Sequence, residues 1–236
     1  MTYSIEPVGH VTSPFKEKFA IPRQPSLCKH AFGSIKFSSH IDPLQACDEI
    51  SQFTHLWLLF IFHKNIDQGF KNKIRPPRLG GNKKIGVFAS RSSFRPNHIG
   101  MSLVKNEGLV DGELKISGID LLDQTPIIDI KPYLPYSDMQ LDAIAGYAQN
   151  SPQNTLNVVF TQLAEQQLLP YLAVNAELKV LIQDVLSQDP RPAYKQNKVD
   201  TKIYFIKLYS VEIAWRVSEN IVYIESINND TESNIS

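Results

Sequence analysis

Short segments in which apolar and polar residues alternate dominate the first 140 residues of the chain. A period of two is typical of half-buried β-strands. Only Pro43 to Gln52 has a helix-like pattern, which leaves little room for the long crossovers of a parallel sheet. We therefore predict a mainly β fold, a small and mostly antiparallel sheet or barrel. Its strands are expected at Ser4 to Thr12, Gly33 to Ser38, Leu56 to His63, Lys84 to Ser90, Ser102 to Val110, Glu113 to Asp120 and Thr125 to Ile130.

Two of these segments carry further information. The stretch from Leu56 to Phe62 is apolar on both faces, which predicts a central strand. Asp111-Gly112 lies between two strand patterns, and this dipeptide favours the positive φ angles of a tight hairpin turn.

The pattern changes after Gly146, the last glycine, and residues 150–154 have the composition of a linker. Beyond it we predict two helices, Thr161 to Leu172 and Val174 to Leu186. Three alternating segments follow, and a polar tail is expected to fray. The predicted domains are thus a barrel at 1–150 and a small α+β domain at 151–236. The expected C-terminal strands are Ile203 to Tyr209, Val211 to Val217 and Ile221 to Ile227.

Composition narrows the protein class. The 236 residues are 42% hydrophobic and 20% charged, as in globular domains with a real core. Cys28 and Cys47 form no CxxC pair and no secretory signal precedes them, so we expect a reduced, cytoplasmic compartment. The run from Leu56 to Phe62 is far shorter than the roughly 20 residues that span a bilayer, so no membrane association is expected.

Several common sites are absent from the sequence. Eleven glycines include no GxG, which argues against a dinucleotide-binding fold. Gly81 and Gly86 have the spacing of a phosphate loop, but Val87 and Phe88 replace the residues that would hold phosphate and Mg²⁺. The six histidines show no paired ligand spacing, and Cys28, His30 and Cys47 form only a weak cluster, so we expect no metal.

Charge is balanced overall but not along the chain. Lys and Arg total 24 against 24 acids, yet residues 64–105 hold ten basic residues and one acid. Residues 106–150 reverse this, with eight acids and two lysines. The basic stretch either attracts a polyanion or is neutralised in space by the acidic segment, and the charge count alone does not separate these interpretations.

Three segments could carry chemistry. Residues 86–100 contain Arg91 and Arg95, each of which could bind a carboxylate or phosphate through two parallel hydrogen bonds. An ordinary polar loop has the same composition. In residues 120–138, Asp129 interrupts an apolar strand pattern, so we expect it to be buried with a partner such as an arginine. Residues 189–194 fix Arg191 between two prolines near Tyr194; this is either a nucleobase contact or a helix-ending turn.

Together these segments resemble a known family. IGVFASRSSFRPNHIGMSLV, DQTPIIDIKPYLPYSD and DPRPAY are similar to the signature blocks of the TsaA-like (TrmO) family of S-adenosylmethionine-dependent tRNA methyltransferases. FKEKFAIPRQP and WLLFIFHK support the resemblance, which covers nearly the whole chain. Two positions depart from the family pattern: His98 replaces a proline, and Gln124 stands where glycine is common.

The resemblance implies a small β-barrel methyltransferase followed by a C-terminal domain, with S-adenosylmethionine as cofactor and a homodimeric assembly. It also implies N6-methylation of the threonylcarbamoyl-adenosine next to the anticodon of threonine tRNA. The cofactor contacts that it implies are Pro22, Arg23, Gln24, His63, Lys64, Arg91, Met101, Leu121, Leu122, Asp123 and Gln124.

The reaction suggests further roles. The adenine N6 amine is a poor nucleophile, so positioning should supply most of the acceleration. Tyr136 and Asp138 are our candidates for orienting or deprotonating it. For contact with RNA we select Lys83, Lys84, Arg95, Arg191 and Tyr194, and of these we expect Arg191 and Tyr194 to meet the anticodon loop. Two alternatives remain open at this stage: a barrel of the same type that methylates a small metabolite, and an RNA-binding module without catalysis.

Overall fold

A computed structural model describes residues 3–19, 21–22, 28–150, 156–192, 195 and 200–230. Contacts divide the chain into two compact units, each built from separate segments. The barrel unit comprises Met1–Thr12, Gly33–Ser117 and Gln124–Ser151. The sheet-and-helix unit comprises Ser13–Phe32, Gly118–Asp123 and Pro152–Ser236. No helix in the described ranges is long and apolar enough to cross a membrane.

Six strands close into an antiparallel barrel in the order β1-β2-β7-β6-β3-β8, which confirms the predicted fold class. Two further short strands pair with each other as a separate ribbon. The strands are β1 (Gly9–Thr12), β2 (Phe32–Phe37), β3 (His55–Ile61), β4 (Lys73–Ile74), β5 (Ile85–Gly86), β6 (Ile99–Val110), β7 (Glu113–Ser117) and β8 (Pro126–Pro132).

The interior of the barrel explains one glycine of the sequence motif. Along β3 the side chains alternate, with Leu56, Leu58 and Phe60 buried. Phe60 is paired with Gly100 of β6, and a Cβ at Gly100 would collide with the Phe60 ring. Gly100 is therefore required by close packing of an aromatic ring inside the barrel.

The predicted hairpin is confirmed. Asp111 and Gly112 have φ angles of 52° and 75°, as a type I′ turn requires, and they connect β6 to β7. The predicted strand from Lys84 to Ser90 is wrong for most of its length. Only Ile85–Gly86 forms a strand, because the next three residues, Val87–Ala89, form a single turn of 3-10 helix. The side chain of Val87 is buried in this turn.

The predicted helix from Pro43 to Gln52 is shorter than expected. Helix α1 covers Pro43–Ala46 and is capped by Asp42, whose carboxylate accepts from the Leu44 N–H at 3.0 Å. A left-handed Glu49, with φ at 61°, precedes a 3-10 turn at Ile50–Gln52. The helix is broken because that φ angle cannot continue an α-helix. Helix α2 is a single turn at Pro135–Asp138.

The sheet-and-helix unit contains a four-stranded sheet in the order β10-β11-β12-β9 and two helices. The three predicted strands and both helices are present, and Leu178, Leu181, Ile182 and Val185 form the buried face of α4 as expected. The sequence pattern missed β9, which pairs parallel to β12. The elements are β9 (Asn157–Phe160), α3 (Gln162–Leu172), α4 (Leu178–Leu186), β10 (Asp200–Leu208), β11 (Val211–Ser218) and β12 (Ile221–Asn229).

Candidate active site

A long loop between β3 and β6 carries several of the predicted site residues. The Phe62 N–H donates to the His98 carbonyl at 2.8 Å, and the Lys71 N–H donates to the Phe94 carbonyl at 3.2 Å. These bonds bring the start of the loop against its end. His63 and Lys64 begin a 3-10 helix at His63–Gln68, with His63 half-buried and Lys64 exposed.

The arginines of the loop differ in environment. Arg91 is exposed, as an anion-binding guanidinium should be. Arg95 is half-buried, and its Nη1 donates to the Ser90 carbonyl at 2.8 Å. Its guanidinium also lies over the Phe88 ring, with 5.7 Å between Cζ and the ring centroid. Arg95 thus stabilises the loop through contacts with Ser90 and Phe88.

His98 adopts a left-handed backbone conformation, with φ at 51°. Its N–H donates to the Arg95 carbonyl at 3.2 Å. A proline, which the family pattern has at this position, could adopt neither feature, because its ring holds φ near −65° and removes the N–H. A relative with proline at the position of His98 must therefore have a different backbone conformation at this point of the loop.

Met101 lies in the barrel wall. It is 57% exposed and is paired with Leu59 of β3 on the outward side of the sheet. Asp129 of β8 also faces outward, because its side chain is 44% exposed and its partner is Lys131 at 2.8 Å. The expectation that Asp129 is buried is wrong, whereas the expected cationic partner is present as a lysine.

A network in the sheet-and-helix unit holds Asp123. One carboxylate oxygen accepts from the Ser13 N–H at 2.8 Å, and the other lies 2.7 Å from Lys16 Nζ. Ser13 Oγ donates to the Leu121 carbonyl at 2.6 Å. Sequence reasoning missed Ser13 and Lys16 as positioning residues. The signal was Lys16 in the FKEKFAIPRQP block, a cation that Asp123 could pair with.

The remaining predicted cofactor residues have varied surroundings. Leu121 is 2% exposed and Pro22 is buried, so their side chains belong to the core of the sheet-and-helix unit. Leu122 is half-buried. Gln124 is exposed and left-handed, with φ at 61°, which explains why glycine suits this position. Arg23 and Gln24 lie outside the described residues.

The candidate catalytic pair lies on α2. Tyr136 is 86% exposed. Asp138 accepts hydrogen bonds from the Trp57 indole at 2.9 Å and from the Leu134 N–H at 3.0 Å. The bonds from the Leu134 backbone and the Trp57 indole lower the pKa of Asp138. A carboxylate with a lowered pKa is a weaker base, so this geometry suits orientation better than deprotonation.

Most side chains of the basic stretch are exposed on the barrel unit. Lys83 and Lys84 are exposed just before β5, as expected for phosphate contacts. Six residues of the stretch are exposed and form no ion pair with any residue that the structure describes. These six are Lys71, Lys73, Arg75, Arg78, Lys83 and Lys84.

Arg191 has a different environment from the other predicted RNA contacts. Its side chain is 2% exposed, with Nε at 2.7 Å and Nη2 at 2.8 Å from the two carboxylate oxygens of Asp189. An RNA contact would require this buried pair to open, so the structure corrects the expectation and gives Arg191 a structural role. Tyr194 lies outside the described residues.

The weak cysteine and histidine cluster has no metal-binding geometry. His30 Nδ1 lies 2.8 Å from Asp184 Oδ2, and burial raises the pKa of the Cys28 thiol far above its ordinary range. Among the described residues no three His, Cys, Asp or Glu side chains are grouped to hold a metal. A cavity of about 290 Å³ in the barrel unit is lined by mostly apolar residues together with Asp48, Asp129 and Lys131, and none of the predicted cofactor residues lines it.

Each unit, taken by itself, carries groups that suit parts of S-adenosylmethionine, which offers a carboxylate, an ammonium, a sulfonium and an adenine. The exposed Arg91 guanidinium suits the carboxylate. Asp123 is already engaged, but each carboxylate oxygen has a second lone pair that can accept from an ammonium. Half-buried Leu122 supplies an apolar surface.

The chain is similar to known proteins along nearly its whole length. Residues 10–139 match the tRNA-methyltransferase O N-terminal domain and residues 153–230 match the TrmO C-terminal domain. The tRNA (adenine(37)-N6)-methyltransferase of Escherichia coli (strain K12) is 44% identical over 92% of this chain and 94% of the relative. A Pseudomonas aeruginosa relative with the provisional name of an S-adenosylmethionine-dependent methyltransferase is 43% identical over 91% of this chain and 93% of its own length.

A solved structure agrees with these sequence matches. The crystal structure of TrmO from Pseudomonas aeruginosa has a TM-score of 0.82 and 35% sequence identity, covering 97% of this chain and 98% of that one. The resemblance, the methyltransferase class and the family cofactor S-adenosylmethionine are thereby confirmed. With both domain models matched in order, the chain belongs to the tRNA-methyltransferase O family.

Proposed function

We propose that this protein transfers a methyl group from S-adenosylmethionine to N6 of adenine 37 of tRNA, the base next to the anticodon. The match of both family domains, in order, carries the proposal. A relative that is 44% identical over 92% of the chain bears the name of this activity. The exposed basic surface of the barrel unit supports an RNA substrate.

The finer substrate follows from the resemblance of the signature blocks. We propose that the methylated base is threonylcarbamoyl-adenosine in threonine tRNA, that the enzyme is a homodimer and that it works in the cytoplasm. We also propose a division of labour, in which residues 1–150 bind the cofactor and residues 151–236 contact the tRNA.

The residues act mainly by positioning. The cofactor supplies an electrophilic methyl group. His63, Lys64, Arg91 and Met101 of the barrel unit would hold it. In the sheet-and-helix unit, Lys16 fixes the carboxylate of Asp123 in place. The N6 lone pair is conjugated with the purine ring, so alignment with the methyl carbon lowers the barrier more than basicity does. Asp138, fixed by Trp57, would orient the base.

Arg91 offers a direct test of the cofactor site. Arg91→Ala should weaken S-adenosylmethionine binding by about 1–3 kcal/mol, because a charge-assisted hydrogen bond is lost. Arg75→Ala removes an exposed arginine of the same loop and should leave the affinity unchanged. Calorimetric titration measures both. Equal affinities of the two folded variants would contradict the assignment of Arg91.

The reaction itself is tested in cells. Mass spectrometry of tRNA nucleosides should show the N6-methylated threonylcarbamoyl-adenosine disappear when the gene is deleted and return when it is restored. If the deletion instead removes a methylated small metabolite and leaves the tRNA nucleosides unchanged, the result would support the metabolite methyltransferase. Absence of any S-adenosylmethionine binding would support the RNA-binding module.

A further inference from the structure

The long loop of the barrel unit presents an aromatic ring to solvent. Phe88 is 74% exposed and lies in the single 3-10 turn at Val87–Ala89. One exposed apolar side chain is ordinary on a protein surface. The surroundings of Phe88 are what give it significance.

The turn beneath Phe88 is firmly held. Val87 is 2% exposed, and its N–H donates to the Asn72 carbonyl at 3.0 Å. The Val87 carbonyl accepts from Ser90 Oγ at 2.7 Å. Arg95 donates to the Ser90 carbonyl at 2.8 Å. The ring is therefore presented on a pre-organised backbone, which lowers the entropy cost of any contact that it makes.

Positive charge and a second aromatic residue accompany the ring. The Arg95 guanidinium lies over Phe88, while 74% exposure leaves much of the ring available. Tyr147, which is 41% exposed, donates from its hydroxyl to the neighbouring Ala89 carbonyl at 3.2 Å. Lys83 and Lys84 are exposed earlier in the same loop.

We propose that Phe88 stacks on an unpaired base of the RNA substrate. Basic surfaces with exposed aromatic rings bind single-stranded nucleic acid, because the charges attract the backbone and the ring accepts the flat face of a base. A base within a duplex has both faces covered by its neighbours, so the ligand is a loop nucleotide. The inference rests on the proposed tRNA substrate and adds the residue that holds a splayed base.

The first test measures tRNA binding and methylation by full-length variants. Phe88→Ala should weaken tRNA binding by about fivefold or more, and up to about 150-fold, with an unchanged salt dependence because no charge is lost. Phe88→Trp should restore binding. The matched control is Leu44→Ala, which removes an equally exposed side chain, 74%, from α1 and should change nothing.

The second test observes stacking directly. The fluorescence of Phe88→Trp should be quenched by a short oligoadenylate, whereas Leu44→Trp and the wild-type protein, which has Trp57 and Trp215, should respond little. Calorimetry should show the same S-adenosylmethionine affinity for Phe88→Ala and wild type. Thermal unfolding should show that the variant folds normally, since the ring is exposed.

The outcomes separate the two proposals. If the wild-type protein methylates no tRNA, the proposed function fails. If it methylates tRNA but Phe88→Ala binds tRNA as tightly as Leu44→Ala does, the stacking role alone is overturned. A change of oligomeric state in Phe88→Ala with unchanged affinity for oligoadenylate would assign the ring to a protein interface and also overturn it.

Discussion

The indole N–H of Trp57 donates a 2.9 Å hydrogen bond to the carboxylate of Asp138, a residue 81 positions further along the chain. The Leu134 N–H donates to the same oxygen, at 3.0 Å. Trp57 lies in β3 of the barrel, so this carboxylate fastens the α2 turn to the barrel wall. Tyr136 is presented from that turn.

This relationship separates orientation from proton transfer. Asp138→Asn should keep most of the methylation rate, because an amide oxygen can accept both hydrogen bonds but cannot take up a proton as a carboxylate does. Asp138→Ala should lower the rate strongly, because the turn loses its anchor. Single-turnover methylation of tRNA measures both, with Asp142→Ala as an exposed control nearby. Equal, severe losses in the Asn and Ala variants would instead identify Asp138 as the base.

The anchor should also depend on pH in one direction. The folded-state pKa of Asp138 lies below its ordinary value, so its stabilising effect is present above about pH 4 and is lost as the pH falls through the lower folded-state pKa. The fluorescence of Trp57 should thus be constant near neutrality and change only in acid. Asp138→Asn should abolish this acid transition. A transition near neutral pH in the wild-type protein would disagree with a lowered pKa.

Gln124 should respond well to replacement by glycine. Its φ of 61° strains a residue with a side chain, and Gln124→Gly should stabilise the protein by roughly 1 kcal/mol or less. The Gln124 N–H donates to the Val11 carbonyl at 2.8 Å, which glycine retains. Urea denaturation checks this, with exposed Gln140→Gly as the control without positive φ. Destabilisation by Gln124→Gly would mean that the glutamine side chain contributes more than the strain costs.

Arg191 should affect stability rather than RNA selection. Arg191→Ala should destabilise the protein by about 3–5 kcal/mol, because it leaves buried Asp189 without its cation. Arg216→Ala breaks a pair with Glu225 whose arginine is 39% exposed, and should cost about 0–1 kcal/mol. Chemical denaturation compares them. If the Arg191→Ala protein is as stable as the wild type but binds cognate tRNA weakly, the result would support the RNA contact predicted from the sequence.

The basic surface should govern the salt dependence of tRNA binding. Each phosphate contact contributes a log-log slope of roughly −0.7 to −0.9, so reversing Lys83 and Lys84 to Glu should flatten the slope and weaken all tRNAs alike. Lys115→Glu is the control, since Lys115 is already paired with Glu113 at 2.8 Å. Filter binding over a salt series measures the slopes. Unaltered slopes in the double variant would place the phosphates elsewhere.

Local chemistry was the most predictable part of the fold. Asp111-Gly112 fixes its own turn through two positive φ angles, and the apolar spacing from Leu178 to Val185 fixes the buried face of α4. Strand β9 was missed because its four residues acquire their partner from β12, more than 60 positions away. Val87 to Ala89 has strand-like residues, but tertiary packing turns it into a 3-10 helix.

The candidate site shows the same limit. The sequence motifs pointed to Arg91 and Asp138. They could not reveal that Lys16 and Ser13 contact the carboxylate of Asp123. Nor could they reveal that Arg191 is buried in an ion pair with Asp189. These partners are set by the fold, and the same residue types occur on ordinary surfaces. Exposure distinguishes the two arginines, since Arg91 is exposed and Arg191 is buried.

The bond from the Phe62 N–H to the His98 carbonyl joins the two ends of the long loop just beyond paired β3 and β6. A loop that leaves and re-enters a barrel at adjoining strands can change in length at small entropic cost, because closure entropy grows only slowly with length. Insertions or deletions between Phe62 and His98 that keep His63, Lys64 and Arg91 would therefore change the surface offered to a substrate while the ladder of the barrel stays intact.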